Sequence, residues 1–201
     1  MSAGRTLLVG LGNPILGDDG IGIRLARDLA AEHEGTDGFE VLADCAVAGL
    51  DLVERLAGYE RVILVDAFEA PDLPPGTLLH LDATALGPGA TTSHVHGMDF
   101  AAALEVGRRV GLPLPAASEI HVLGIAARET DTFSETLSPE LEKAYPSLRS
   151  AVSSQVDALA RPDPLTGARE VIGGRRSWRS ACIEQVGCSE SGEGRPWKST
   201  G

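Results

Sequence analysis

The chain has 201 residues, 43% of them hydrophobic, and a formal net charge of -12. That apolar share is enough for one α/β core and short for two domains. The acidity argues against nucleic acid and anionic membrane surfaces as partners. The opening MSAGRTLLVGLGN has too short an apolar run for a signal peptide or a membrane span, so a cytoplasmic protein is expected. Cys45, Cys182 and Cys188 are odd in number and form neither a disulfide framework nor a CxxC metal pattern.

In chain order, residues 5–11 (RTLLVGL) form a compact apolar run ended by glycine, the pattern of a strand buried on both faces. Residues 22–32 place Ile23, Leu25, Ala26 and Leu29 near one helical face. A second strand is expected at 39–45, a short helix at 50–56 and a third strand at 61–66, where RVIL and Val65 lead into Asp66. Residues 76–82 read as a fourth strand in which His80 is an ordinary sheet side chain, and 83–92 as a Gly/Pro loop. SHVHGMDF (93–100) then leads into a helix. A last strand is expected at 119–126 and a long helix at 138–160, with Ser138 as N-cap and Pro139 at its first position.

Residues 1–160 therefore read as one α/β domain. Residues 161–201 differ: they hold both tryptophans, seven glycines, and 7 basic against 5 acidic side chains with no sustained period, as expected of a poorly ordered tail. The folded part carries 10 basic and 24 acidic residues and is the more acidic portion.

Three places carry candidate chemistry. The first is GLGNPILGDDGIG (10–22), a glycine-rich turn with two adjacent carboxylates. A phosphate-cradling loop avoids negative charge, so Asp18 and Asp19 point instead to a cation or a metal. Capping of the following helix accounts for one aspartate more easily than for two. The second is Asp66, expected at the carboxyl end of a strand, where ligands bind in doubly wound sheets. The third is the pair His94 and His96, clustered imidazoles suited to metal binding or proton transfer.

LLVGLGNPILGDDGIGIRLARDLA, VILVDAF and HVHGMDF occur in an order that resembles the hydrogenase maturation endopeptidases. The resemblance covers about residues 5–160. It implies a three-layer α/β fold, phosphorylase/hydrolase-like, with a twisted, mostly parallel sheet of about five strands flanked by helices. It also implies a protease that removes the C-terminal extension of a [NiFe] hydrogenase large-subunit precursor after nickel insertion. The family's metal-contacting triad falls on Asp19, Asp66 and His96, because His96-Gly97-Met98-Asp99-Phe100 follows the family's histidine-to-helix pattern. His94 is the alternative, since Ser93 resembles the Ser or Thr that often precedes the family histidine. The nickel implied is the substrate's own, and no permanently bound metal is expected. Two carboxylates and an imidazole suit a divalent first-row metal and leave coordination positions open.

Other readings fit less well. Peptidyl-tRNA hydrolases also open with a strand and GLGNP, but this chain lacks their Tyr and Thr-Arg-His-Asn segment and is acidic where an RNA binder needs Lys and Arg. A dinucleotide fingerprint would need glycine where Ile15 stands. A nickel-handling chaperone that does not cut would use the same triad, and only an assay of cleavage separates it.

Overall fold

The computed structural model describes residues 5–84 and 100–160. Among the described residues nine regular elements follow one another: β1 (Thr6–Leu11), α1 (Ile21–Ala30), β2 (Phe39–Cys45), α2 (Gly49–Arg55), β3 (Arg61–Glu69), β4 (Leu78–Asp82), α3 (Phe100–Arg109), β5 (Ile120–Ala127) and α4 (Pro139–Ala160). Short 3-10 turns precede α1 (Gly17–Gly20) and β5 (Ala117–Glu119). The expected five-stranded, mostly parallel sheet is present, in the order β2-β1-β3-β5-β4.

The apolar runs explain the strand positions. β1 is buried at every residue, and β3 is buried from Val62 to Ala67. Both are interior strands covered on two faces, so neither shows the alternation of a half-exposed strand. β1 pairs in parallel with β2 and β3, and β3 with β5; β4 runs antiparallel along β5 at the edge.

Period-two alternation divides the strand side chains between two cores. On one face Leu8, Ile63, Val65, Leu123 and Ile125 pack with Ile21, Leu25 and Leu29 of α1 and with Leu141, Leu148, Val152 and Val156 of α4. On the other, Leu7, Val9, Leu11, Val62, Leu64, Ile120 and Val122 pack with Leu52 and Val53 of α2 and with Phe100, Ala103 and Leu104 of α3. The α1 residues recur every four positions, which gives one stripe facing the sheet.

Several sequence expectations change in detail. β3 continues to Glu69, so Asp66 lies within the strand and pairs with Gly124 of β5. The cause is its neighbours: β5 accompanies β3 to the end, while β1 stops pairing at Gly10 opposite Val65. The N-cap of α1 is Gly20, with no side-chain cap, so neither aspartate caps that helix. Ser138 does cap α4: its carbonyl accepts Glu142 N–H at 2.8 Å, and its Oγ accepts Leu141 N–H at 3.4 Å.

Candidate active site at the switch point of the sheet

From β1 the chain passes through α1 to β2 on one side, then returns through α2 to β3 on the other. The carboxyl ends of β1 and β3 therefore flank a topological switch point, where open α/β sheets form a ligand crevice. Asp19 follows β1 and Asp66 stands on β3 one residue beyond the last β1 pair, so both reach this rim. Both are buried.

Asp19 is held by the turn that carries it. Its Oδ2 accepts the Asn13 N–H at 2.6 Å, and its own N–H donates to Leu16 O at 3.0 Å. The chain enters the turn at Gly12, where φ is +127° and an added Cβ would sit 1.9 Å from Asp19 O. Only glycine permits that conformation and that approach. Gly22, in the first turn of α1, lies against the sheet end; a Cβ there would sit 2.3 Å from Val65 O and 2.4 Å from Leu11 O. The glycines thus bring the start of α1 down onto the ends of β1 and β3.

Asp66 alternates with Val62 and Leu64 and so belongs to the face covered by α2 and α3. Cys45, opposite Leu11 at the end of β2, belongs to the same face. Burial pushes the Cys45 thiol above its ordinary value, and the nearby Asp66 charge pushes it the same way. This thiol is buried and protonated, the opposite of a poised nucleophile. α3 begins at Phe100, which is buried in the same layer.

Asp18 faces elsewhere. Its Oδ1 accepts Ser138 N–H at 2.7 Å, and its Oδ2 accepts Ser138 Oγ–H at 2.9 Å and the N–H groups of Arg128 and Glu129 at 3.4 Å each. It ties the glycine-rich turn to the connection between β5 and α4. Of the two adjacent aspartates, Asp18 is bound to the connection between β5 and α4, and Asp19 to its own turn at the rim. The sequence marked Ser138 as a cap, but its pairing with Asp18 spans 120 positions and has no local signal.

Among the described residues, no three His, Cys, Asp or Glu side chains form a group set to hold a metal ion. His94 and His96 lie outside the described residues, as does the tail beyond 160. A histidine pair that sequence reading missed is elsewhere: His80 of β4 and His121 of β5 approach with Nε2 and Nδ1 3.2 Å apart. They sit toward the amino end of β5, away from the switch point.

An open, mostly parallel sheet with helices packed on both faces defines a three-layer α/β protein. The model of the hydrogenase maturation protease family matches residues 23–155. The chain is 30% identical over 167 residues to the hydrogenase 2 maturation protease of Escherichia coli strain K12, covering 78% of this chain and 96% of that protein. Its fold is similar to the hydrogenase maturating endopeptidase HybD from E. coli, with a TM-score of 0.61 and 26% identity over 77% of this chain and 93% of that one. It is also similar to the [NiFe] hydrogenase maturation protease HybD from Thermococcus kodakarensis, with a TM-score of 0.57 and 27% identity over 78% and 99% of the two chains. The chain belongs to the hydrogenase maturation protease family and is an endopeptidase of that family. No described helix is long and apolar enough to cross a membrane.

Proposed function

We propose that this endopeptidase removes the C-terminal extension of a [NiFe] hydrogenase large-subunit precursor after nickel insertion, and that Asp19, Asp66 and His96 read the bound nickel. The observation that carries the reading is the placement of Asp19 and Asp66, two buried carboxylates delivered by different elements to one switch point. Carboxylate oxygens are hard donors suited to a divalent ion, and a substrate-borne metal is such an ion. His96 lies four residues before Phe100, whose helix packs on the Asp66 face. Its imidazole completes a mixed oxygen and nitrogen donor set suited to nickel. His94 remains the alternative third ligand.

The nickel is part of the substrate. Three protein donors leave positions on the ion for groups of the precursor, so a loaded precursor binds and an empty one does not. The ion also offers Lewis acidity near the scissile bond, by polarising the carbonyl or activating water. The buried, protonated Cys45 offers no covalent route. The site of action is the cytoplasm.

The test is incubation of the purified protein with a purified immature large subunit, with and without nickel, followed by mass measurement. Nickel-dependent release of a C-terminal peptide is expected. Tight complex formation with no cleavage favours a nickel-handling chaperone instead.

A further inference from the structure

Among the described residues, the large apolar side chains left exposed are Ile15, Leu50, Val110 and Phe133. Leu50 lies on α2 and Val110 just beyond α3. Ile15 and Phe133 lie on adjoining backbone segments. Leu16 and Ser134 form a parallel bridge, with Gly17 N–H donating to Ser134 O at 2.8 Å and Ser134 N–H to Ile15 O at 3.1 Å. The preceding residues on both segments, Ile15 and Phe133, are therefore neighbours, and Pro14 beside them is exposed as well.

Phe133 is 83% exposed and Ile15 47%. An exposed ring and a half-exposed branched chain contribute little to the core, and adjoining apolar groups within a polar rim mark an interaction surface. The segment bearing Phe133 is mainly acidic: Glu129, Asp131 and Glu135 are exposed on it, against one exposed base, Arg128, at its start. The patch is also held in register with the rim. Asp18 N–H donates to Glu129 O at 3.0 Å, and the Asp18 carboxylate grips Ser138, so the segment bearing Phe133 is hydrogen-bonded to the turn that carries Asp19.

We propose that Pro14, Ile15 and Phe133 form a docking patch for a segment of the precursor polypeptide in which an apolar side chain is flanked by Lys or Arg. This rests on the proposed proteolytic function and adds a second contact for the same substrate. The apolar contact provides affinity, the surrounding carboxylates select a basic segment, and the hydrogen-bonded frame sets that segment's distance from Asp19.

The test compares wild type, Ile15→Ser/Phe133→Ser and Phe133→Leu on a nickel-loaded precursor. The double variant should raise KM about tenfold with kcat within a factor of about two, a loss of binding shared by ground and transition states. Phe133→Leu should recover most of that loss. The wild-type KM should rise with salt, and the double variant should unfold at the wild-type temperature because neither side chain is buried. An unchanged KM overturns the docking patch while leaving proteolysis intact. If the wild type releases no peptide, the proteolytic reading fails, and direct titration of precursor into wild type and double variant still decides the patch: equal binding overturns it. Loss of a wild-type dimer in the double variant with KM unchanged assigns the surface to a second copy of the chain and also overturns it.

Discussion

Asp18 and Ser138, 120 positions apart, share two short hydrogen bonds: Ser138 N–H to Oδ1 at 2.7 Å and Ser138 Oγ–H to Oδ2 at 2.9 Å. The N-cap of the last helix is thus locked to the turn that follows the first strand. Asp18→Ala leaves the N–H groups of Ser138, Arg128 and Glu129 without their acceptor and should cost about 2–4 kcal/mol in urea unfolding. Ser138→Ala removes the cap as well as one Asp18 contact and should cost about 1–2 kcal/mol. The two losses should fall short of additive in the double variant, since they break the same contact. Strict additivity would show that the two groups act independently.

Gly22 tests the approach of α1 to the sheet. With Val65 O and Leu11 O both under 2.5 Å from an added Cβ, and both backbone atoms of buried strands, Gly22→Ala has no side chain that can yield. A loss of about 3 kcal/mol or more is expected in thermal or denaturant melts. Gly35 is the control: its φ is +77° but nothing lies within 4 Å, so Gly35→Ala should cost about 1 kcal/mol, the backbone term alone. Equal losses at the two positions would contradict the close packing at the switch point.

The His80–His121 pair predicts an acid-sensitive fold. Burial holds both imidazoles below their ordinary value of 6.5; the His80 and Arg61 charges push His121 further down, while Asp82 acts upward on both and Glu119 on His121. The folded state then binds fewer protons than the unfolded chain just below pH 6.5. Stability is fully present above that value and is lost as pH falls through it. The midpoint of thermal unfolding should drop between pH 7.5 and 5.5 more steeply in wild type than in His121→Gln. Parallel profiles would remove the pair from this account.

Sequence reading reached the strands whose apolar runs are continuous, because burial on both faces leaves no other pattern for residues 6–11 and 61–67. It reached Asp19 and Asp66 as rim residues for the same reason: each follows or ends such a run. What it missed depends on partners distant in sequence. Local pattern offers either aspartate as a helix cap, and the acceptor role of Asp18 appears only when Ser138 is brought beside it. His80 looked solitary, since β4 carries no sign that it turns antiparallel along β5 and meets His121. The Asp66 carboxylate interrupts the apolar run, so the run alone stops three residues short of Glu69, where β3 still pairs with β5.

The proposed triad separates by substitution. Asp19→Asn and Asp66→Asn retain size and lose the charge that a cation needs; each should reduce processing at least about a hundredfold while unfolding near the wild-type temperature. His96→Ala should do the same, and His94→Ala should keep at least about a tenth of the activity. An active His96→Ala beside an inactive His94→Ala moves the ligand to His94.

The most direct test of the central claim is the mass of a large-subunit precursor after incubation with this protein, in parallel reactions with nickel-loaded and nickel-free precursor and with wild type and Asp19→Asn. Recognition of the loaded metal by the rim carboxylates predicts loss of one C-terminal peptide only where wild type meets nickel-loaded precursor. Equal cleavage of the nickel-free precursor, or undiminished cleavage by Asp19→Asn, contradicts it.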